Sequence, residues 1–476
     1  MSAAVVVGSG PNGLAAAIRL AHAGLRVTVV EAADRPGGGA RTAKLTLPGL
    51  RHDECSAVHP TAVASPYFAA LDLGRHGLRW CWPDVDLAHP LDDGRAGVAA
   101  RDPDATAESL GADHRRWRRL FAPVLADFEQ VIGEVLGPPL HLPRHPLALA
   151  RFGLRAALPA TWVARLFADE PARALFIGLA AHKFGRLDTP LSTAVGAIFV
   201  GTAHTVGWPV AAGGSGAITD ALVAELTAHG GRVVTATTVH DLGELTEIAG
   251  ATPAVVMFDT AARGALRIAG GRLPPRLRRA LDRFTYGPAA FKVDFAIDGD
   301  IPWTNPQCRR AGTVHLGGTA AQIAAAEAQT ARGVMPERPF VLLGQQYLCD
   351  PSRSQGTVNP IYAYAHVPHG YSGDATGAVI AQIERFAPGF TDRILATASR
   401  GPAELERHNA NYVGGDICAG ANSVTQLLFR PRFAANPYRL AGGLYLCSSA
   451  TPPGAGVHGM NGFHAAETAL ADLRRR

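Results

Sequence analysis

Lysine is almost missing from this sequence. Of 476 residues only three are lysines, Lys44, Lys183 and Lys292, although lysine and arginine together number 45. The arginines are scattered, with small clusters at Arg115–Arg119 and Arg474–Arg476. Neither a basic stripe nor a basic recognition helix is present, so a nucleic-acid partner is excluded. Weak attraction to an anionic membrane surface stays open. Cysteine is also sparse: Cys55, Cys81, Cys308, Cys349, Cys418 and Cys447 form no C-x-x-C pair, against a redox dithiol or a zinc knuckle. No apolar run reaches the ~20 residues of a spanning helix. The N-terminus lacks a basic segment followed by a cleavage site, so no secretory signal is expected and the expected location is cytoplasmic. Charged residues are 18% and hydrophobic ones 47%, the balance of a soluble enzyme with a large core. The length predicts two or three domains.

What is present is concentrated at the start. Val5-Val6-Val7 reads as a buried strand, Gly8-Ser9-Gly10-Pro11-Asn12-Gly13 as a G-x-G-x-x-G turn, Leu14 to Ala21 as a helix, and Leu25 to Val30 as a second strand ending at Glu31-Ala32. That strand–turn–helix–strand context makes the glycines a dinucleotide fingerprint. Gly8 permits the turn, Gly10 lets the backbone approach a pyrophosphate, and Gly13 lets the helix pack on the strand. The helix N-terminus offers free N–H groups to the anion, and Glu31 can accept hydrogen bonds from ribose hydroxyls. Further on, Arg35-Pro36-Gly37-Gly38-Gly39-Ala40-Arg41-Thr42 brings backbone close to a flat ligand with a guanidinium near its phosphates. This second stretch moves the expected cofactor from NAD to FAD.

The fingerprint, Glu31, Pro36–Thr42, Pro48-Gly49-Leu50-Arg51-His52-Asp53 and Ser56-Ala57-Val58-His59-Pro60 resemble the signature of phytoene-desaturase-like flavoproteins. These belong to the carotenoid-desaturase and amine-oxidase superfamily, near the pyridine nucleotide-disulphide oxidoreductase domain branch. The resemblance implies an α/β chain with a glutathione-reductase-type, Rossmann-like FAD-binding domain, a mixed-sheet substrate domain and a helical cap. The expected division is 1–75, 206–286 and 416–476 for the FAD-binding domain, 76–205 for the cap, and 287–415 for the substrate sheet. Val239 is expected near the adenine.

Residues 61–205 read as mainly helical, with one or two helices over Asp104–Leu136. Leu140–Leu166 carries Arg144, Arg151, Arg155 and Arg165 among apolar residues. It is either a cap helix packed on the core or an amphipathic segment at a membrane or a channel mouth. Lys183 stands in an apolar setting where burial would lower its pKa, and is a pocket candidate or a snorkelling lysine. His366 and His369 end a strand and are candidates for an acid–base role or for structural hydrogen bonds; no metal is expected, since no companion ligand has the spacing. No second G-x-G-x-x-G stands between mid-chain strands, so the electron acceptor is expected to be oxygen, a quinone or a protein.

The tail runs from the strand Gly443–Cys447 through Ser448-Ser449-Ala450 and Gly456-Val457-His458 into a helix expected over Val457–Leu473. In the family this stretch meets the flavin, and a helix N-terminus there stabilises charge on the reduced ring. Ser448-Ser449 replaces the family's Gly-Asp, and His458 stands where desaturases carry proline. A histidine with an ordinary pKa of about 6.5 can move a proton at neutral pH. No cysteine stands where a covalent flavin link would form, so FAD is expected to be non-covalent. The implied function is an FAD-dependent oxidoreductase taking hydride from a substrate C–H, on an apolar or isoprenoid-like small molecule, with peripheral membrane contact and homo-oligomerisation left open. An amine oxidase, a redox-neutral flavin isomerase and a non-catalytic FAD protein are the alternatives.

Overall fold

The computed structural model describes residues 2–475. The first strand, Ala3–Val7, is buried along its whole length, as a valine-rich strand covered on both faces must be. It lies between Arg26–Val30 and Val255–Phe258, both parallel to it. Arg232–Val234 and Leu444–Leu446 extend this sheet in parallel on its two sides, and Arg439–Ala441 closes one edge antiparallel. Segments far apart in sequence thus build one six-stranded dinucleotide-type sheet. The fingerprint helix Pro11–His22 begins with proline in its first turn, where the missing N–H costs nothing.

The two ends of the chain meet on this helix. A Cβ on Gly462, in the C-terminal helix Met460–Arg474, would lie 1.8 Å from Asn12 O, so only glycine permits the crossing. Arg19 Nε donates to Glu467 Oε1 at 2.5 Å one face further along. The helix begins later than the sequence predicts because Gly459 takes φ 69°, a left-handed conformation, and delays its start to Met460.

The second sheet has seven strands in the order Ile394–Arg400, Ala289–Asp298, Val358–Val367, Val341–Gly344, Ala311–Leu316, Val85–Pro90, Ala96–Ala99. It is mixed: Ala311–Leu316 pairs parallel with Val85–Pro90, the rest antiparallel. Two of its strands, Val85–Pro90 and Ala96–Ala99, come from the stretch read as helical. The polar residues in Val85–Pro90 hide its strand character, because both are buried with backbone partners. Asp86 Oδ1 accepts from Trp208 N at 2.9 Å, and His89 Nε2 lies 2.7 Å from Gly318 O. Asp104–Leu136 forms three helices rather than one or two, and Leu140–Leu166 breaks into Pro146–Ala156 and Ala160–Ala164 at Pro159.

A buried ion cluster joins the parts beneath the site. Arg353, 1% exposed, donates from Nη1 to Asp53 Oδ2 at 2.5 Å, from Nε to Asp350 Oδ2 at 3.0 Å and from Nη2 to Ala211 O at 2.9 Å. The other oxygen of Asp53 accepts from Ser215 N and Thr42 Oγ1. The Arg353 charge and these hydrogen bonds outweigh burial and hold the Asp53 carboxyl below its ordinary pKa.

Candidate active site

A large cleft of about 1190 Å³ runs from the fingerprint loop to the mixed sheet. Its first part is backbone-walled. Gly8, Gly10, Pro11, Asn12, Glu31, Ala32, Gly38, Gly39, Arg41 and Val239 line it, and Ser449, Gly456, Val457 and His458 join from the tail. The glycines are required by space. A Cβ on Gly38 would lie 3.0 Å from the Gly10 Cα, and one on Gly10 would lie 2.6 Å from Asp259 Oδ2. Gly10 gives the helix Pro11–His22 no side-chain cap, so a ligand at the helix start would share its N–H groups only with Asp259, whose carboxyl faces the Gly10 and Gly13 amides. The cradle therefore fits a dinucleotide pyrophosphate, and a cleft this long has room for more than a nicotinamide-sized group beyond it.

Three residues expected at the cofactor stand behind the wall. Gly13 faces the strand, where a Cβ would strike Gly8 O at 2.4 Å. Ala40 and Ala450 are fully buried, Ala40 with its carbonyl accepting from Thr219 Oγ1 and Ala450 packed in the core with Val5, Val7 and Phe258. Glu31 and Arg41 reach the cleft but are engaged with one another at 3.3 Å. Glu31 also accepts from Ser9 N at 3.0 Å and Ala33 N at 2.9 Å, so it rigidifies the loop while lining the cleft.

The residues chosen from sequence for acid–base work are not gathered at the cleft. Lys183 is buried, and desolvation lowers its pKa to about 8, but Nζ donates to Arg186 O and Thr189 Oγ1 and pins the loop after helix Glu170–Ala181. His366 Nδ1 lies 2.7 Å from Glu327 Oε1, and Phe184 covers the ring at 3.8 Å, which seals it from the cleft. His369 is exposed and bonds Gly287 O at 2.9 Å. His458 does line the cleft, but burial lowers its pKa to about 4 and Nδ1 accepts from Met460 N at 3.1 Å. It is a neutral imidazole in a fixed tautomer at pH 7, not a group poised to titrate there.

The far part of the cleft is aromatic and apolar. Leu191, Val195, Ile198 and Phe199 border it from the helix Ser192–Thr205, with Phe184, Trp208 and Leu342 around them. Tyr362 and Tyr364 form a floor on the mixed sheet, with Tyr362 Oη donating to Cys55 O. Beneath Tyr362 lies Lys292, its Nζ 4.4 Å from the ring centroid and paired with Asp294. The polar side chain at this end is His182, whose Nε2 is 3.0 Å from His315 Nε2. Burial takes its pKa to about 3, so it is neutral. Glu134 also lines the cleft, beside Leu149, Phe152 and Ala156, and its carboxylate is taken up by His141 and by the His145 amide.

Sequence reasoning passed over Asp259, Tyr362, Tyr364, His182 and the Lys292–Asp294 pair. One signal was available: Lys292 and Asp294 stand two apart in an apolar strand, hence on one face, as do Tyr362 and Tyr364. The His182–His315 contact spans 133 residues and leaves no local trace. Among the described residues, one group could hold a metal ion, His22, Glu225 and His229. It lies outside the cleft, and its carboxylate is already paired with His22, His76 and Arg75.

A family model described as an NAD(P)-binding Rossmann-like domain matches residues 6–71. Over 99% of its length the chain is 25% identical to pyridine nucleotide-disulfide oxidoreductase domain-containing protein 2 of Rattus norvegicus, covering 94% of that protein. It is 40% identical over 107 residues to the hydroxyneurosporene desaturase of Rhodobacter capsulatus, 20% of this chain and 21% of that one. Among solved structures, putrescine oxidase bound to putrescine superposes with TM-score 0.64 at 17% identity, covering 100% of this chain and 99% of the other. Cyclohexylamine oxidase from Brevibacterium oxydans does so with TM-score 0.60 at 17% identity and the same coverage. The two oxidases share the fold.

Proposed function

We propose, for a chain that is an oxidoreductase of the amine-oxidase and desaturase superfamily, that it binds FAD non-covalently and dehydrogenates an apolar small molecule. The observation that carries the substrate class is the aromatic and apolar lining of the far part of the cleft, with Phe184, Ile198, Phe199, Trp208, Tyr362 and Tyr364. The Glu134 carboxylate in the cleft wall is already engaged by His141 and the His145 amide, so a cationic amine would meet chiefly aromatic faces, and desolvating an ammonium without a free counter-charge costs several kcal/mol. An extended hydrocarbon meets only favourable surface, at ~25 cal/mol per Å² of apolar area buried.

FAD bound along the glycine cradle would supply the two-electron acceptor for a hydride leaving a substrate carbon. Gly8, Gly10 and Gly38 would hold its backbone-facing part, Glu31 the ribose, and the tail Ser449–His458 the ring end. Phe184, Tyr362 and Tyr364 orient an apolar chain and exclude water. His458 and His182 are neutral and fixed, so they position by hydrogen bonding and do not carry charge. The remaining substrate proton leaves to solvent; Tyr362 is a neutral phenol whose O–H is given to Cys55 O, so it positions and does not take the proton. The electrons pass on to oxygen, a quinone or a protein.

Anaerobic mixing of the flavin-loaded protein with a panel of isoprenoid polyenes and alkylamines tests this reading. Bleaching of the oxidised flavin band by members of the polyene set, with none by amines, is the expected result. Bleaching by amines alone overturns the substrate class.

The route in for such a substrate supports a membrane-surface reading. The helix Pro146–Ala156 lines the cleft through Leu149, Phe152 and Ala156 while its outer face exposes Leu147 and Leu154 at 72% and 77%. Leu142, Trp162 and Leu166 are exposed nearby in sequence, and Arg144, Arg151 and Arg165 are exposed among them. Apolar side chains interspersed with arginines match an anionic lipid surface. Among the described residues no helix is long and apolar enough to cross a membrane. Co-flotation with phosphatidylglycerol vesicles, lost in Leu147→Glu/Leu154→Glu, is expected. Equal flotation of both proteins sinks the idea.

A further inference from the structure

One buried carboxylate in the cofactor cradle has no ionic partner. Asp259 follows directly on the strand Val255–Phe258 and points into the fingerprint loop. Its Oδ2 lies 2.6 Å from where a Cβ on Gly10 would stand and 2.8 Å from the same point on Gly13. The Gly10 and Gly13 amides are turned to it. Its backbone is locked on both sides, with N donating to Val7 O at 2.8 Å and O accepting from Asn411 Nδ2 at 3.1 Å. The carboxyl therefore shares the positive end of the helix Pro11–His22 with whatever anion the loop takes.

The neighbours give it no compensating charge. From the strand Arg26–Val30 comes the Glu31 carboxylate, which repels it. From the end of Leu444–Leu446 comes the Cys447 thiol, kept neutral by burial. Arg41 is spent on Glu31, and Arg263, on the helix Ala262–Ala269, on Glu406. Burial, with Glu31 adding to it against the two loop amides, lifts the Asp259 pKa to about 7. A pyrophosphate brought to the same amides adds negative charge beside a carboxyl that is already costly to ionise.

We propose that Asp259 is the proton-linked member of the cofactor site: the pyrophosphate of FAD enters the fingerprint loop with Asp259 in its neutral, protonated form, so that binding takes one proton from solvent. This rests on the FAD reading above. The sign follows from linkage. Below the pKa of the free protein Asp259 already carries the proton and affinity is independent of pH. Above it, until the higher pKa of the complex, each pH unit weakens FAD binding by up to tenfold. A neutral Asp259 can also donate its O–H to a phosphate oxygen, an interaction the carboxylate cannot make.

The test is FAD titration of the apoprotein by flavin fluorescence between pH 6 and pH 8.5. The wild type is expected to show Kd rising up to about tenfold per unit above about pH 7. Asp259→Asn, isosteric and always neutral, is expected to bind with a flat profile. Proton uptake is read independently of the variant by calorimetry at pH 8 in two buffers of different ionisation heat, with close to one proton expected. A flat wild-type profile, the same slope in Asp259→Asn, or no proton uptake overturns the proposal. Failure of FAD to bind at any pH in either protein overturns the FAD reading itself, and is distinguished from the other outcomes by that.

Discussion

Gly10→Val is expected to yield a folded protein without flavin. The Cβ alone would stand 2.6 Å from Asp259 Oδ2, and the Gly38 loop presses on the other side, 3.0 Å between its would-be Cβ and the Gly10 Cα. Two methyl groups then fill the volume the pyrophosphate needs, and the loop has no slack because Gly8 N bonds Val30 O at 2.8 Å and Gly37 N bonds Ser9 O at 3.1 Å. The readout is the absorbance of purified protein in the flavin band, beside a far-ultraviolet spectrum to confirm folding. A variant that purifies fully yellow would sink the assignment of this loop to the cofactor.

The second large effect is on stability. Arg353→Met should destabilise the protein by ~3–5 kcal/mol, the usual penalty for leaving buried carboxylates without their cation. Asp53 and Asp350 would both be stranded, and with them the anchorage of Ser215 N and Gly213 N. The denaturation midpoint in urea measures this. Adding Asp53→Asn and Asp350→Asn to the same protein should recover much of the loss, since the neutral triad needs no counter-charge. A triple variant weaker than Arg353→Met would show that shape rather than charge governs the cluster.

Both effects converge on the same architectural point. The cradle is made by glycines that admit a ligand, and a buried charge cluster outside the cleft ties Asp53, Gly213, Ser215 and Asp350 together. The neutral histidines fit this pattern. His182 and His458, which line the cleft, and His315 behind His182 are kept uncharged by burial, so this part of the wall presents hydrogen-bonding atoms and no imidazolium. That suits a reaction in which the cofactor carries the chemistry and the protein holds geometry.

The start of the chain was legible because its signals are local. Val5–Val7, the glycines from Gly8 to Gly13, and Glu31 lie within one strand–turn–helix–strand unit, where spacing along the chain is spacing in space. Three strands after residue 287, Ala289–Asp298, Val341–Gly344 and Val358–Val367, were legible from their strand-like stretches, whereas Ala311–Leu316 and Ile394–Arg400 were not. Val85–Pro90 was not, because Asp86 and His89 are polar and yet buried, and only their partners Trp208 and Gly318, more than 100 residues away, explain that.

Local sequence thus determined the cofactor class, since a phosphate-binding turn is a matter of backbone conformation and a few consecutive residues. Tertiary structure alone decided which polar residues face the cleft. Lys183, His366 and His369 were chemically apt, but Thr189, Glu327 and Gly287 claim their polar atoms. Asp259 carried no signal in the sequence, and it is part of the cradle because two parallel strands some 250 residues apart place its carboxyl against the second glycine of the fingerprint. A side chain's reactivity depends on its solvation and its partners, and those are set by contacts that chain order does not encode.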